Sequence, residues 1–192
     1  MSGGCAAGAI LPRSFYMRDA VTVARELLVK ILVNGDTAGM IVETEAYPGG
    51  DDLASHSAAG ITGRTKVIFG PPGHAYVYLC YGMHACMNIV AEPEGTAGCV
   101  LIRALEPVAG VEAMRARRHA VRRDSELASG PGKLTKALGI TLGHYGVDLT
   151  RGEFVVREPV RPERFDIEVT PRIGITKCTE RPLRFVVRAL RS

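Results

Sequence analysis

Apolar and polar positions along this 192-residue chain follow two rhythms, one near 3.6 residues and one of 2. Val21, Ala24, Leu28 and Ile31 recur at helical spacing behind Asp19, a good N-cap, and predict a helix over about 20–32. Asn34-Gly35-Asp36 then signals a turn. The stretch MIVETEAY over 40–47 alternates instead. Met40, Val42, Thr44 and Ala46 point one way, and Ile41, Glu43, Glu45 and Tyr47 the other. A strand with two carboxylates and a tyrosine on one face lines a cleft or faces solvent. Residues 48–72 are rich in Gly, Ser, Asp and Thr and carry His56 and Arg64. Such long connections are often functional. In HAYVYLCYGMHACMNIV, Tyr76, Tyr78 and Cys80 share one strand face with Val77 and Leu79 opposite. Tyr81-Gly82 breaks the pattern on a protruding turn, and the strand resumes at 87–90. The segment 99–107 reads as a buried strand interrupted by Arg103. A helix over 110–123 ends in Arg115, Arg117, Arg118, Arg122 and Arg123, which read as a solvated basic face. A short helix over 129–140 has Ser129 as its N-cap, and strand candidates follow at 153–157 and 183–190. No repeat or linker divides the chain. The expectation is a loose leader over 1–12 and a single domain of mixed α and β elements over 13–192.

Composition narrows the class without naming a reaction. At this length roughly 70% of the unfolded chain's surface can be buried, enough for a real core. Hydrophobic residues at 46% and charged residues at 23% are ordinary for a globular protein. The net charge of +4 permits a nucleic-acid partner but does not demand one. Five cysteines, at 5, 80, 86, 99 and 178, contain no CxxC pair. No 18-residue apolar run is present. The expectation is a cytoplasmic protein with reduced thiols and no membrane association.

Several tempting motifs fail. GPGK at 130–133 resembles the end of a phosphate-binding loop, but Leu127 stands where that loop needs glycine and Leu134 where it needs Ser or Thr. His74, Cys80, His84 and Cys86 lie close in sequence, at a spacing that matches no common zinc pattern. No metal or cofactor is expected. Tyr76, Tyr78 and Tyr81 either pack on a sheet or form a stacking surface for flat ligands such as bases. Arg103, inside an apolar strand, needs a carboxylate or carbonyl partner. Together these residues suggest a carboxylate beside an aromatic-lined cleft on a basic protein.

The blocks ETEAYPGGDDLASHS, FGPPGHAYVYLCYGMHACMN, CVLIRALEP and ASGPGKLTKALGI occur in this order. In that order and spacing the chain resembles the alkyladenine (3-methyladenine, methylpurine) DNA glycosylase family over about residues 13–190. The resemblance implies an α+β fold, one compact domain built on a curved antiparallel β-sheet surrounded by helices, that kinks DNA from the minor groove. It implies that Glu45 activates the attacking water, with Arg103 near it and the target nucleotide. Tyr47, His56 and Tyr78 would sandwich the flipped base. Asn88 would clash with the 2-amino group of guanine, and Tyr81 would fill the gap left in the duplex. Arg64, Ser129, Gly130 and Lys133 would lie along the DNA backbone. The implied activity is monofunctional hydrolysis of damaged purines from double-stranded DNA, with no lyase step, by a monomeric bacterial protein. A lesion-binding protein with little turnover is the alternative. Two departures bear on substrate range: Thr62-Gly63-Arg64-Thr65 replaces a TPRN-like stretch, and Ala85 stands where an aromatic is frequent.

Overall fold

The computed structural model describes residues 7–161 and 164–191. Its centre is an antiparallel sheet of nine strands. These are β1 (Ala7–Ile10), β2 (Ile31–Asn34), β3 (Thr37–Pro48), β4 (Ala75–Cys80), β5 (His84–Val90), β6 (Gly98–Ala109), β7 (Phe154–Pro159), β8 (Arg164–Thr170) and β9 (Arg184–Arg191). The main order is β1-β7-β2-β3-β6-β5-β4. Strand β3 pairs with β6 along one edge, and its other edge is divided between β2 over 37–40 and β9 over 43–45.

Four short helices are α1 (Arg13–Tyr16), α2 (Ala20–Glu26), α3 (Val111–Arg117) and α4 (Pro131–Leu138). They pack on one face of the sheet. Val23 and Ala24 of α2, Met114 of α3 and Leu134 and Ala137 of α4 join Ile41, Ala46, Met87, Ile89, Val100 and Ile102 in the main core. Burial of each large side chain there contributes about 1.5–3 kcal/mol. The opposite face carries a smaller cluster of Ile68, Tyr76, Val90 and Cys99. Beside it opens the cavity described below.

The expected helix over 20–32 stops at Glu26. Asp19 does cap it, accepting from the Thr22 amide at 2.8 Å. Val29 then takes a positive φ of 62°, and the amides of Val29 and Ile41 bond the carbonyls of Ile41 and Lys30 across to β3. Ile31 and Val33 enter one core cluster while Leu32 enters the other. Apolar positions that fit a helix also fit a strand buried on both faces, and pairing with β3 decides between them.

Elsewhere, too, tertiary contacts reset local expectations. Where the sequence suggests a loose leader over 1–12, Ala7–Ile10 pairs with β7 and Leu11 is buried; residues 1–6 lie outside the described residues. The helix expected over 110–123 ends at Arg117. Arg118 turns to a φ of −128° and its guanidinium bonds the carbonyls of Glu126 and Leu127, while Arg117 bonds the carbonyl of Ala137. Those two arginines staple α3 to its neighbours, while Arg115, Arg117, Arg122 and Arg123 remain exposed. Ser129 is not the N-cap of α4. Gly130 takes that place and Pro131 occupies the first helical position, where its missing N–H costs nothing.

Candidate functional site

The site lies where β3 and β6 fall out of step. Ile41 pairs with Leu105, Glu43 with Ala104 and Thr44 with Ile102, so Val42 and Arg103 have no opposite partner. Such bulges re-aim side chains. The strict alternation expected over 40–47 therefore breaks. Ile41 joins Ala46 in the main core, and Thr44 Oγ1 bonds the Ala24 carbonyl there at 2.8 Å. Glu43, Glu45 and Tyr47 turn to the other face with Arg103, which lies directly under the cavity.

Glu45 is fully buried, in mid-sheet between Leu101 of β6 and Arg184 of β9. Oε1 accepts from the Ile173 amide at 2.8 Å and lies 3.2 Å from Arg103 Nη1, and Oε2 accepts from the Tyr47 hydroxyl at 2.9 Å. Arg103 Nε also bonds Glu43 at 2.9 Å, and Arg184 bonds the same Glu43 oxygen at 2.6 Å. The carboxylate partner that Arg103 requires is thus supplied twice. Burial works against its charge, but Glu45 and Glu43 outweigh it and raise its pKa. Burial and then the nearby Glu45 push the Tyr47 hydroxyl well above its ordinary range, so it remains a donor.

Tyr47, Arg103 and Ile173, the three partners of Glu45, line a cavity of about 630 Å³. His56, Tyr76, Tyr78, Asn88 and Arg64 line it as well. Tyr78 and Tyr76 are near-parallel at 5.3 Å, and His56 stands edge-on to Tyr78 at 4.6 Å. His56 Nδ1 is 2.9 Å from the Tyr76 hydroxyl. Burial, then Arg64, lower the pKa of His56. Burial pushes the Tyr76 hydroxyl up to about 12. Asn88 is buried, with Nδ2 3.4 Å from the Tyr76 carbonyl. At the rim, Tyr81 and Gly82 both have positive φ, 51° and 68°, as a tight hairpin turn of mirror-image type requires. This turn leaves Tyr81 85% exposed, beside exposed Met83 and Leu79.

The expected site residues thus divide. Glu45, Arg103, Tyr47, His56, Tyr78 and Asn88 converge, and Tyr81 projects from the cavity's edge. Arg64, expected along a DNA backbone, is exposed and contributes to the cavity lining. Ser129, Gly130 and Lys133 are not among the lining residues, although Pro131 between them is, and Lys133 Nζ lies 3.2 Å from Ser129 Oγ. Among the described residues no three His, Cys, Asp or Glu side chains gather as a metal site. No helix among them is long and apolar enough to cross a membrane.

Asp52, Arg172 and Ile173 carry no local pattern that marks them as site residues. Arg172 forms a two-pronged pair with Asp52 at 2.6 and 2.8 Å, both side chains fully buried, and donates to the Ala46 carbonyl at 3.1 Å. Its guanidinium lies 4.6 Å over the Tyr47 ring, and the next residue supplies the amide that bonds Glu45. Gly49 lets this loop start where it does, since a Cβ there would sit 2.2 Å from the Ala97 carbonyl oxygen. The partners are 120 positions apart, so no local pattern could reveal them.

These features define a buried carboxylate beneath an aromatic-lined cavity with an exposed tyrosine at its lip. Residues 14–191 match the family model of methylpurine-DNA glycosylase (MPG), and the chain belongs to that family. A protein of Methanoculleus marisnigri, described as a candidate 3-methyladenine DNA glycosylase, is 51% identical over 187 residues, covering 94% of this chain and 96% of its own. Similarly described proteins from Koribacter versatilis and Rhodopseudomonas palustris are 48% and 50% identical. They cover 92% and 94% of this chain, and 89% and 85% of their own lengths.

Proposed function

We propose that this chain is a DNA-repair glycosylase that flips a damaged purine from duplex DNA into the cavity and hydrolyses its N-glycosidic bond. The observation that carries this reading is Glu45, an acceptor held by Arg103, Tyr47 and Ile173 directly behind the cavity wall. A base inside a duplex is out of reach, and extruding it costs a few kcal/mol. Tyr81, on its turn, fills the vacated stack and offsets part of that cost. Tyr47 and Tyr78 offer faces for the base, and Asn88 sits where a purine edge would arrive.

The bond breaks with positive charge growing on the sugar. The carboxylate of Glu45 stabilises that charge and takes a proton from the attacking water. Water reaches it when the lesion displaces the Ile173 amide, a neutral donor that covers Oε1, while the Tyr47 hydroxyl stays on Oε2. Arg103 meanwhile keeps the carboxylate in place. Neither step forms a covalent link to the protein, so the reaction ends at an abasic site without strand cleavage. A monomer suffices, because every group named comes from one chain.

Lesion binding with little turnover is the second reading, and it is favoured by the complete burial of Glu45. Single-turnover excision from duplexes carrying hypoxanthine, ethenoadenine or 7-methylguanine separates the two. The wild type is expected to release base, and Glu45→Gln to slow release by on the order of 10²–10⁴ while lesion affinity is kept. Lesion affinity in the wild type without any release would establish the second reading.

A further inference from the structure

The turn at 62–65, where the sequence departs from a TPRN-like stretch, closes on itself. The Thr62 amide bonds Thr65 Oγ1 at 2.8 Å, the Thr65 amide bonds Thr62 Oγ1 at 3.1 Å, and Thr65 Oγ1 donates to the Gly60 carbonyl at 2.8 Å. Residues 61–64 are exposed, so this stretch gains little from burial. Among the described residues, two side chains give it hydrogen bonds to distant parts of the chain. Arg64 reaches inward, its Nε donating to the Tyr76 hydroxyl at 3.1 Å, with Nη2 3.3 Å from His56 Nε2. Tyr145 reaches across from outside the cavity lining, its hydroxyl 3.4 Å from the Gly63 carbonyl oxygen and 3.2 Å from that of Arg64. Tyr145 stands on a firm base. It follows a single helical turn over Leu142–His144. Beside it the Gly146 amide bonds the Ala75 carbonyl at 2.8 Å, and the Ala75 amide bonds the Val147 carbonyl at 2.9 Å. Its ring meets Tyr76 edge-on at 6.3 Å.

A tyrosine hydroxyl thus fixes where the backbone of Arg64 stands, and the Arg64 guanidinium lies 4.8 Å from the centre of the Tyr78 ring. An arginine side chain has much rotamer freedom to lose. It settles against Tyr76 and Tyr78 at lower cost when its backbone is already held. We propose that Tyr145 is a positioning residue of the site. It holds the 62–65 turn so that Arg64, His56, Tyr76 and Tyr78 form one closed wall for an extruded base. This rests on the glycosylase reading, in which a flipped base enters this cavity. Tyr145 decides where the groups of that wall stand and leaves their charges as they are, so neutral and cationic bases are served alike. The wall meets the bound base before and during bond cleavage, and its loss therefore weakens binding more than the rate at saturation.

The test is Tyr145→Phe, which keeps the ring beside Tyr76 and removes only the hydroxyl. The carbonyls it frees belong to exposed residues that water can serve, so the melting temperature should hold. Single-turnover excision from duplexes carrying hypoxanthine or 7-methylguanine is followed as enzyme concentration is raised. The half-saturating concentration is expected to rise about two- to tenfold on both duplexes, the size of one net hydrogen bond, with the saturated rate within about twofold. In an Arg64→Met background the same substitution should add little, because the group that Tyr145 positions is gone. The His56 ring gives a readout without turnover. Its NMR titration should move toward the ordinary histidine value in Tyr145→Phe, as Arg64 leaves its side. An unchanged half-saturating concentration overturns the proposal. So does a loss carried wholly by the saturated rate, and so do losses that multiply in the double variant. If the wild type excises neither base, the glycosylase reading fails by itself. The His56 titration then still decides, since an unmoved ring in Tyr145→Phe would show that the turn stands without its tether.

Discussion

Two arginines sit over two tyrosines in this molecule, at 4.6 and 4.8 Å, and they have little else in common. Arg172 is sealed. Its side chain and that of Asp52 have no exposure, and they meet through two short bonds. Arg64 is exposed and meets only neutral groups. The first arrangement is closed to solvent, with the buried Nε of Arg172 left unbonded, and fixes the segment 171–173 against β3. The second leaves donors and charge open to whatever enters the cavity. The same contact is therefore compensated by a carboxylate in one wall and by none among the described residues in the other.

Removing the anion beneath Arg172 should give the largest effect. Asp52→Ala leaves a buried guanidinium uncompensated, and breaking such a pair costs about 3–5 kcal/mol. Urea denaturation should show that loss. The double variant Asp52→Ala, Arg172→Met should recover much of it, because no buried charge is left over. Arg64→Met should move stability by no more than about 0.5 kcal/mol, as for a surface change. Comparable losses at the two arginines would erase the distinction.

Tyr47→Phe comes next in size. It keeps the ring between Arg172 and the cavity but withdraws the donor to Glu45 Oε2. A buried acceptor left unsatisfied costs about 1–3 kcal/mol. Excision should fall while lesion affinity persists, since stacking survives. Single-turnover rates and fluorescence anisotropy on the same duplex read the two separately. A loss of affinity as large as the loss of rate would mean that Tyr47 acts as a stacking wall alone.

What could be read from the chain follows from how local each feature is. Strand β4 and the turn at Tyr81-Gly82 carry their own signals, alternation and a glycine able to take positive φ, and the structure has both. The presence of Arg103 in an apolar strand demanded a carboxylate or carbonyl partner, and Glu43 and Glu45 are the ones it has. The face on which Ile41 lies was not legible, because the bulges at Val42 and Arg103 arise from pairing two strands about 60 residues apart. Strand β2 was hidden inside a helical spacing, and β8 had no distinctive pattern. Asp52 and Arg172 each read as ordinary polar residues in loops. Only the fold brings them together behind Tyr47.

The smallest effect concerns the charge that Arg64 imposes on its neighbour. Burial, and then Arg64, hold His56 below its ordinary pKa. The Tyr76 hydroxyl at 2.9 Å and the Tyr78 ring are its other close contacts. The unfolded chain therefore binds a proton on His56 more readily than the folded chain does. The stability tied to neutral His56 is fully present above the unfolded value near 6.5 and is lost as pH falls from there toward the folded value. Arg64→Met removes the second cause and leaves the first. Its His56 pKa should rise part of the way back, and stability should decline less between pH 7 and pH 5 than in the wild type. NMR titration of the His56 ring protons measures the first change, and urea midpoints at the two pH values measure the second. An unmoved His56 titration would mean that Arg64 spends its time in solvent rather than over Tyr78, and the two tyrosine walls would then differ in structure as well as in role.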